Sequence, residues 1–252
     1  MSRLARILAF LLIALVAAAP AAAAQENALP RLDATGKSAA EDMSSPVKIV
    51  LVLTVLAIAP AILMSVTSFT RIVIVLSFVR RAMAIQELPP NQVVIGLSIF
   101  LTVLSMNPVL TDVYQGAVRP YLDEKVTMAE AGERAAGSMK GFLVAHAQDE
   151  EIRLFLELTG AEIPETPEDV PMTVLVPAFA LSELKIAFKM GFLIFIPFLI
   201  VDIVVASILL AMGMFMLPPV IISTPFKILL FILVDGWSLV IRSLMESFQI
   251  VT

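Results

Sequence analysis

The chain has no cysteine. That absence excludes a disulfide framework, a thiolate metal site and a thiol nucleophile. One histidine and one tryptophan are all that 252 residues supply. His146 therefore has no imidazole companion at metal-ligand spacing, and its plain role is surface or helix packing. Charge is scarce too: charged residues make up 15% of the chain, against about 25% in an ordinary soluble domain. Basic residues are not in excess, since 17 basic against 22 acidic side chains leave a net −5. Nothing here can neutralise a run of phosphates, which argues against a nucleic-acid partner. Strand-type alternation and internal repeats are missing as well. What is plentiful is apolar surface, 59% of residues with a mean hydropathy of +0.95. The composition predicts an all-α, membrane-associated protein.

The apolar residues come in runs. Residues 1–24 have the form of a secretory signal: Arg3 and Arg6, an apolar stretch over 7–16, and Ala22, Ala23 and Ala24 before Gln25. Cleavage there would start the mature chain outside the cytoplasm, with 25–46 as a flexible polar leader. Between Lys48 and Arg71 lie 22 uncharged residues, a helix of about 33 Å and enough for a bilayer core. A second charge-free run covers 88–111, where Pro89 and Pro90 delay the helix to about Gln92. A third covers 186–216, interrupted by Lys189 and Asp202. A fourth covers 220–243 and carries Lys227 and Asp235. Four long apolar helices are thus expected, in one hairpin at 47–111 and a second at 177–252.

Charge sets the expected orientation. The connection after the first run holds Arg71, Arg80 and Arg81 against Glu87 alone. Residues 112–169 hold 13 acidic and five basic side chains. Positive charge marks the inner side, so 112–176 is expected outside the cytoplasm. Lys185 and Lys189, at the outer end of the third run, go against that rule. The acidic segment has helical spacing with Phe142, Leu143, Ile152, Phe155 and Leu156 as candidate buried positions. Residues 161–171, with Pro164, Pro167 and Pro171, read as an extended linker.

Few residues offer chemistry. Gly36, Lys37 and Ser38 look like the end of a phosphate-binding loop, but Arg31 stands where that loop needs glycine. Asp202 and Asp235 each sit in an apolar run, where a carboxylate is costly unless paired or protonated. They could form an acid dyad for intramembrane proteolysis, although Ile232, Leu233 and Val234 replace the Gly-x-Gly expected before the aspartate. Asp202 could instead be the coupling group of a secondary transporter or ion channel, although paired broken helices are missing. The plainer reading pairs Arg71, Lys185, Asp202, Lys227 and Asp235 as buried charges at helix or subunit contacts. So many ionisable groups in nominal spans imply surfaces covered by other protein rather than lipid alone.

Met212, Gly213, Met214, Phe215 and Met216 precede Leu217, Pro218 and Pro219. The two prolines are expected to break the helix after this loop, and Gly213 to loosen it. Methionine is unbranched and adapts to changing contacts. The segment is either apolar filling at a helix end or a deformable seal around a pore.

Longer blocks carry a resemblance. Pro177-Ala178-Phe179-Ala180-Leu181-Ser182-Glu183-Leu184-Lys185 leads into Ala187-Phe188-Lys189-Met190-Gly191-Phe192. Pro197-Phe198-Leu199-Ile200-Val201-Asp202, the methionine loop, Pro225-Phe226-Lys227 and Asp235-Gly236-Trp237 come after it. Thr67-Ser68-Phe69-Thr70-Arg71-Ile72 and Pro90-Asn91-Gln92-Val93 belong to the same order. Together, over about 47–110 and 173–248, they resemble the FliP family of flagellar export proteins and its virulence-secretion relatives; the signal favours the flagellar branch. The resemblance implies a non-enzymatic core subunit of a type III protein export gate, with no cofactor. It implies a homo-oligomer with FliQ and FliR, meeting FlhA and FlhB, within the flagellar basal body at the bacterial inner membrane. Unfolded flagellar proteins would be the cargo. Met212 to Met216 would be the gasket of the channel.

Overall fold

The computed structural model describes residues 50, 53–54, 57–58, 61, 64–84, 89–161, 164 and 166–248. The chain divides into one unit ending at Thr54 and a second over Val55–Thr252; all the helices named below belong to the second. The expected signal, the polar leader and most of the first apolar run lie outside the described residues. The described elements are all helical: α1 (Phe69–Ala82), α2 (Asn91–Ser105), α3 (Asn107–Val113), a π-helical turn (Tyr114–Val118), α4 (Arg119–Leu122), α5 (Met128–His146), α6 (Asp149–Thr159), a 3-10 turn (Pro167–Asp169), α7 (Met172–Ala211), α8 (Pro219–Leu233) and α9 (Gly236–Glu246).

The arginine-rich stretch expected to connect two spans is itself helical. Ile72, Val75, Leu76 and Val79 recur at helical spacing in α1 and are buried, so one apolar stripe carries the helix past Arg71. Arg80 and Arg81 close its last turn, where positive charge favours the carbonyl end of a helix.

The second and fourth apolar runs each break. α2 and the helical stretch after it meet at 61°. Pro108 lies in the first turn of α3; it has no N–H for the Leu104 carbonyl and its ring crowds that oxygen. α8 and α9 meet at 62°. There Asp235 adopts a left-handed backbone with φ 51°, and the Phe231 ring lies 2.2 Å from where a Cβ on Gly236 would sit. Only a glycine admits the ring so close. Among the described residues, one helix, α7, is long and apolar enough to cross a membrane, and up to three spans result if each bent pair counts as one.

α7 runs for 40 residues, about 60 Å at the usual rise and twice the thickness of a bilayer's hydrocarbon core. It begins at Met172, well before the apolar run expected at 186, and so takes in Glu183. Pro177 and Pro197 lie inside it, each removing one backbone hydrogen bond. α1 runs parallel to α7, with Arg71 opposite Glu183 and the Phe78 ring over Gly191. α2 returns antiparallel to α1, the Ser68 and Ser105 hydroxyls hydrogen-bonded at the far end. α8 returns antiparallel to α7, and α9 continues along α1 until Ser247 meets Arg71.

Two apolar cores result. One joins Ile72, Val75 and Leu76 of α1 to Val94 and Leu101 of α2, Ala187 and Phe198 of α7, Phe231 of α8 and Leu244 of α9. The other packs Phe142 and Leu143 of α5 and Ile152 and Leu156 of α6 on Val174, Leu175, Ala178 and Phe179, at the start of α7. Phe155 only packs against its edge. The second core ties the acidic segment to α7. Thr127 and Glu130 start α5 as a reciprocal capping box, which supplies partners for two otherwise orphaned backbone donors.

Candidate functional site

Arg71 and Glu183 form the most deeply buried ion pair among the described residues, with side chains 2% and 0% exposed. Arg71 Nε donates to Glu183 Oε2 at 2.8 Å and Nη2 donates to Oε1. Arg71 Nη1 donates to the Ser247 carbonyl and hydroxyl, both at 3.0 Å. The guanidinium lies 4.0 Å above the centre of the Phe248 ring. This forked geometry satisfies both carboxylate oxygens and places the cation on an aromatic face, which offsets the cost of taking both charges from water.

Asp202 and Lys227, both expected to pair, are brought together. Lys227 Nζ donates to Asp202 Oδ2 at 2.6 Å and the Ser223 hydroxyl donates to Oδ1. Lys227 is buried while Asp202 keeps a quarter of its side chain exposed. The pair ties the two arms of the α7–α8 hairpin beyond the last turn of α1. Beside it, Ile200, Val204, Ile208, Ile222 and Phe226 line a wholly apolar open groove of about 400 Å³.

Lys185 pairs with Glu151 of α6. This lysine was expected to be buried; its side chain is 53% exposed and only the carboxylate is enclosed. Glu151 Oε2 is buried without a hydrogen-bond partner. Asp235 differs more. It lies exposed at the α8–α9 bend, has no ion-pair partner among the described residues, and serves as the left-handed cap before α9. Eight residues separate it from Lys227, roughly 12 Å of helix rise, so Asp202 and Asp235 do not face each other as a dyad.

The methionine loop forms the tip of the α7–α8 hairpin. Gly213, at φ 75°, and not Pro218, ends α7. Met214 N–H donates to the Leu209 carbonyl and Gly213 N–H to the Leu210 carbonyl, the paired bonds of a glycine-terminated helix. The prolines instead begin α8: Pro218 is its cap and Pro219 its first residue, where a missing N–H costs nothing and the fixed φ suits a helix. The expected break after the loop is thus a start. Met212, Phe215 and Met216 are exposed, Met216 at 97%, and Met214 is half-buried.

Sequence reasoning gave no individual role to Glu183, Glu151, Ser223, Ser247 or Phe248. A signal existed for Glu183, since it is an acidic residue inside the Pro177 to Lys185 block, two residues before Lys185. Counting the third helix from its first charge-free residue left it outside. No local signal marks Ser247 or Phe248, which reach Arg71 across 176 and 177 positions of sequence.

Among the described residues outside the long apolar helices, two groups have displaced titrations. Hydrogen bonds from the Thr127 backbone and side chain hold Glu130 below the usual carboxylate range. Burial pushes His146 below the usual imidazole range, helped by the positive charge of Arg71 and opposed by the carbonyls of Phe142 and Phe248.

A family model described as the FliP family matches residues 52–244. The chain is 53% identical over 208 residues to the flagellar biosynthetic protein FliP of Bacillus subtilis (strain 168), covering 82% of this chain and 94% of that one. It is 44% identical over 247 residues to the protein of that name from Caulobacter vibrioides, covering 98% and 92%. To the one from Pectobacterium carotovorum it is 51% identical over 204 residues, covering 80% and 78%.

Proposed function

The chain belongs to the FliP family, and on that premise we propose that it is a core channel subunit of the flagellar type III export gate. In this reading several copies assemble with FliQ and FliR at the inner membrane, next to FlhA and FlhB, inside the basal body. Unfolded flagellar proteins pass through the centre, and the chain catalyses no reaction. Met212 to Met216 close the passage when it is empty.

The observation that carries the reading is the hairpin tip. Met212, Phe215 and Met216 stand exposed on an arm stiffened by the Asp202–Lys227–Ser223 contacts. Unbranched thioethers with three rotatable bonds can close on one another and yield to side chains of many shapes. The apolar faces of α7 and α8, with Phe192, Ile200, Ile203, Ile221 and Leu233 exposed, have the character of surfaces covered by neighbouring subunits and lipid. Asp202 has both oxygens engaged, which weighs against its being a free coupling group.

In the same reading the chain is made with a signal cleaved before Gln25, and 112–176 is periplasmic. The end of α1 and the methionine loop point the same way along the bundle, as that topology requires. Two experiments test the whole. Removing the protein from a flagellated cell should abolish secretion of flagellar subunits; unimpaired secretion would overturn the export role. Single cysteines at Gln148 and at Met216 should differ, only the first reacting with an impermeant thiol reagent added outside; reaction at both would overturn the topology.

A further inference from the structure

His146 is the only histidine of the chain and ends α5 where the acidic segment meets the long helices. Its Nδ1 lies 2.8 Å from the Phe142 carbonyl. A carbonyl only accepts, so Nδ1 carries the proton and the neutral ring leaves a lone pair on Nε2. That Nε2 is buried and has no hydrogen-bond partner. The ring packs on Phe142 at 4.2 Å and faces Phe248 at 5.9 Å between centroids. The Phe248 ring also lies under the Arg71 guanidinium. One aromatic ring therefore stands between a permanent cation and an imidazole able to become one.

We propose that His146 is a pH-sensitive latch: neutral, it holds Phe248 and the end of α9 against α5, and charged, it releases them. The proton comes from the medium and adds to Nε2. The surroundings oppose it. α1 brings Arg71, whose charge repels a second cation. α7 brings Glu183, but both its oxygens already receive Arg71. α6 brings Glu151, whose Oε1 is engaged by Lys185 while Oε2 is buried without a hydrogen-bond partner, and Asp149, which is exposed. α9 carries Arg242 and Glu246, both exposed, the two residues after it are the uncharged Ser247 and Phe248, and no other titratable side chain lies within the last turn of α5. Two backbone carbonyls, those of Phe142 and Phe248, favour the charged ring, and burial outweighs them.

The sign follows from the lowered titration of His146. The unfolded chain, near 6.5, takes up the proton before the folded one. The contact is at full strength above that value and weakens as pH falls through it toward the folded value. The latch would couple the acidic segment to the second hairpin and does not depend on the channel reading.

The lone histidine and the lack of cysteine make the test direct. Ring-labelled histidine in the full-length protein gives one imidazole NMR titration. Ala145→Cys with Ser243→Cys, both exposed positions, carries two spin labels that report the α5–α9 distance. The expected result is a midpoint below 6.5, with a distance distribution that lengthens or broadens at that same midpoint. In His146→Gln the distance should no longer respond to pH between about 8 and 5, the window in which an imidazole changes charge. A parent whose distance is constant through its own histidine titration would overturn the proposal. So would a His146→Gln protein that keeps the parent's pH response. If that variant does not fold, the parent comparison alone decides.

Discussion

At its N-terminal half α7 is covered by α1, α5 and α6 and holds Glu183 out of water against Arg71. At its C-terminal end, among the described residues, it has only α8 beside it and carries Met212 and Met216 in the open. One helix thus serves two purposes. The covered half uses directional contacts that permit a single arrangement: a forked ion pair, a ring in the Cβ space of Gly191, and a hydroxyl from Ser182 receiving the Gln148 N–H. The open end uses side chains that specify none. Between them the Asp202–Lys227 pair is intermediate, buried on one side and part-exposed on the other. The contrast teaches where this protein can deform without unfolding.

The sharpest way to break the covered half is Arg71→Ala. It strands Glu183 without a partner, and an uncompensated buried charge costs about 3–5 kcal/mol. Denaturant unfolding in detergent should show that loss, and the double change to Arg71→Met with Glu183→Leu should restore most of it. Lys227→Ala should cost less, below about 3 kcal/mol, because Asp202 keeps Ser223 and some water. If Lys227→Ala proved the more damaging of the two, the order of rigidity along α7 would be reversed.

Gly191→Ala probes the α1–α7 contact without touching charge. An added Cβ would lie 2.5 Å from Cγ of Phe78, too near the stem of that side chain for a small rotation to clear. Overpacking of this kind costs about 1–3 kcal/mol, read in the same unfolding experiment. The smallest effect belongs to the acidic segment. Glu130 titrates below 4.5 in the folded chain, so its capping contribution is present above that value and fades as pH falls through the lower folded one. Amide exchange in the first turn of α5 should quicken there, and Glu130→Gln should remove the pH dependence.

The helical class and the residues that needed partners were legible in the sequence, because a charge in an apolar run is visible in one dimension. Which partner each would find was not. Arg71 turned to Glu183, and that choice depends on where α7 begins, which hydropathy placed 14 residues late. Asp235 looked buried by its neighbours but sits at a bend made by the Phe231 ring against Gly236, a tertiary contact. The methionine loop was legible as a helix interruption. Its two prolines were read as the stop, whereas Gly213 supplies the left-handed residue that ends α7 and the prolines start α8. Pattern alone cannot divide one break between an end and a beginning.

In the proposed gate, the open end of α7 seals by softness and not by fit. Ion conductance of cells carrying the assembled complex tests this most directly, comparing the parent with Met212→Ala, Met214→Ala and Met216→Ala combined. Unfolding stability and assembly should match the parent, since the tip adds little to either core, while conductance should rise; the three leucine replacements should leak less than the alanines. A fully assembled triple-alanine protein with the conductance of the parent would contradict the seal and leave the loop as apolar filling at the turn between two helices.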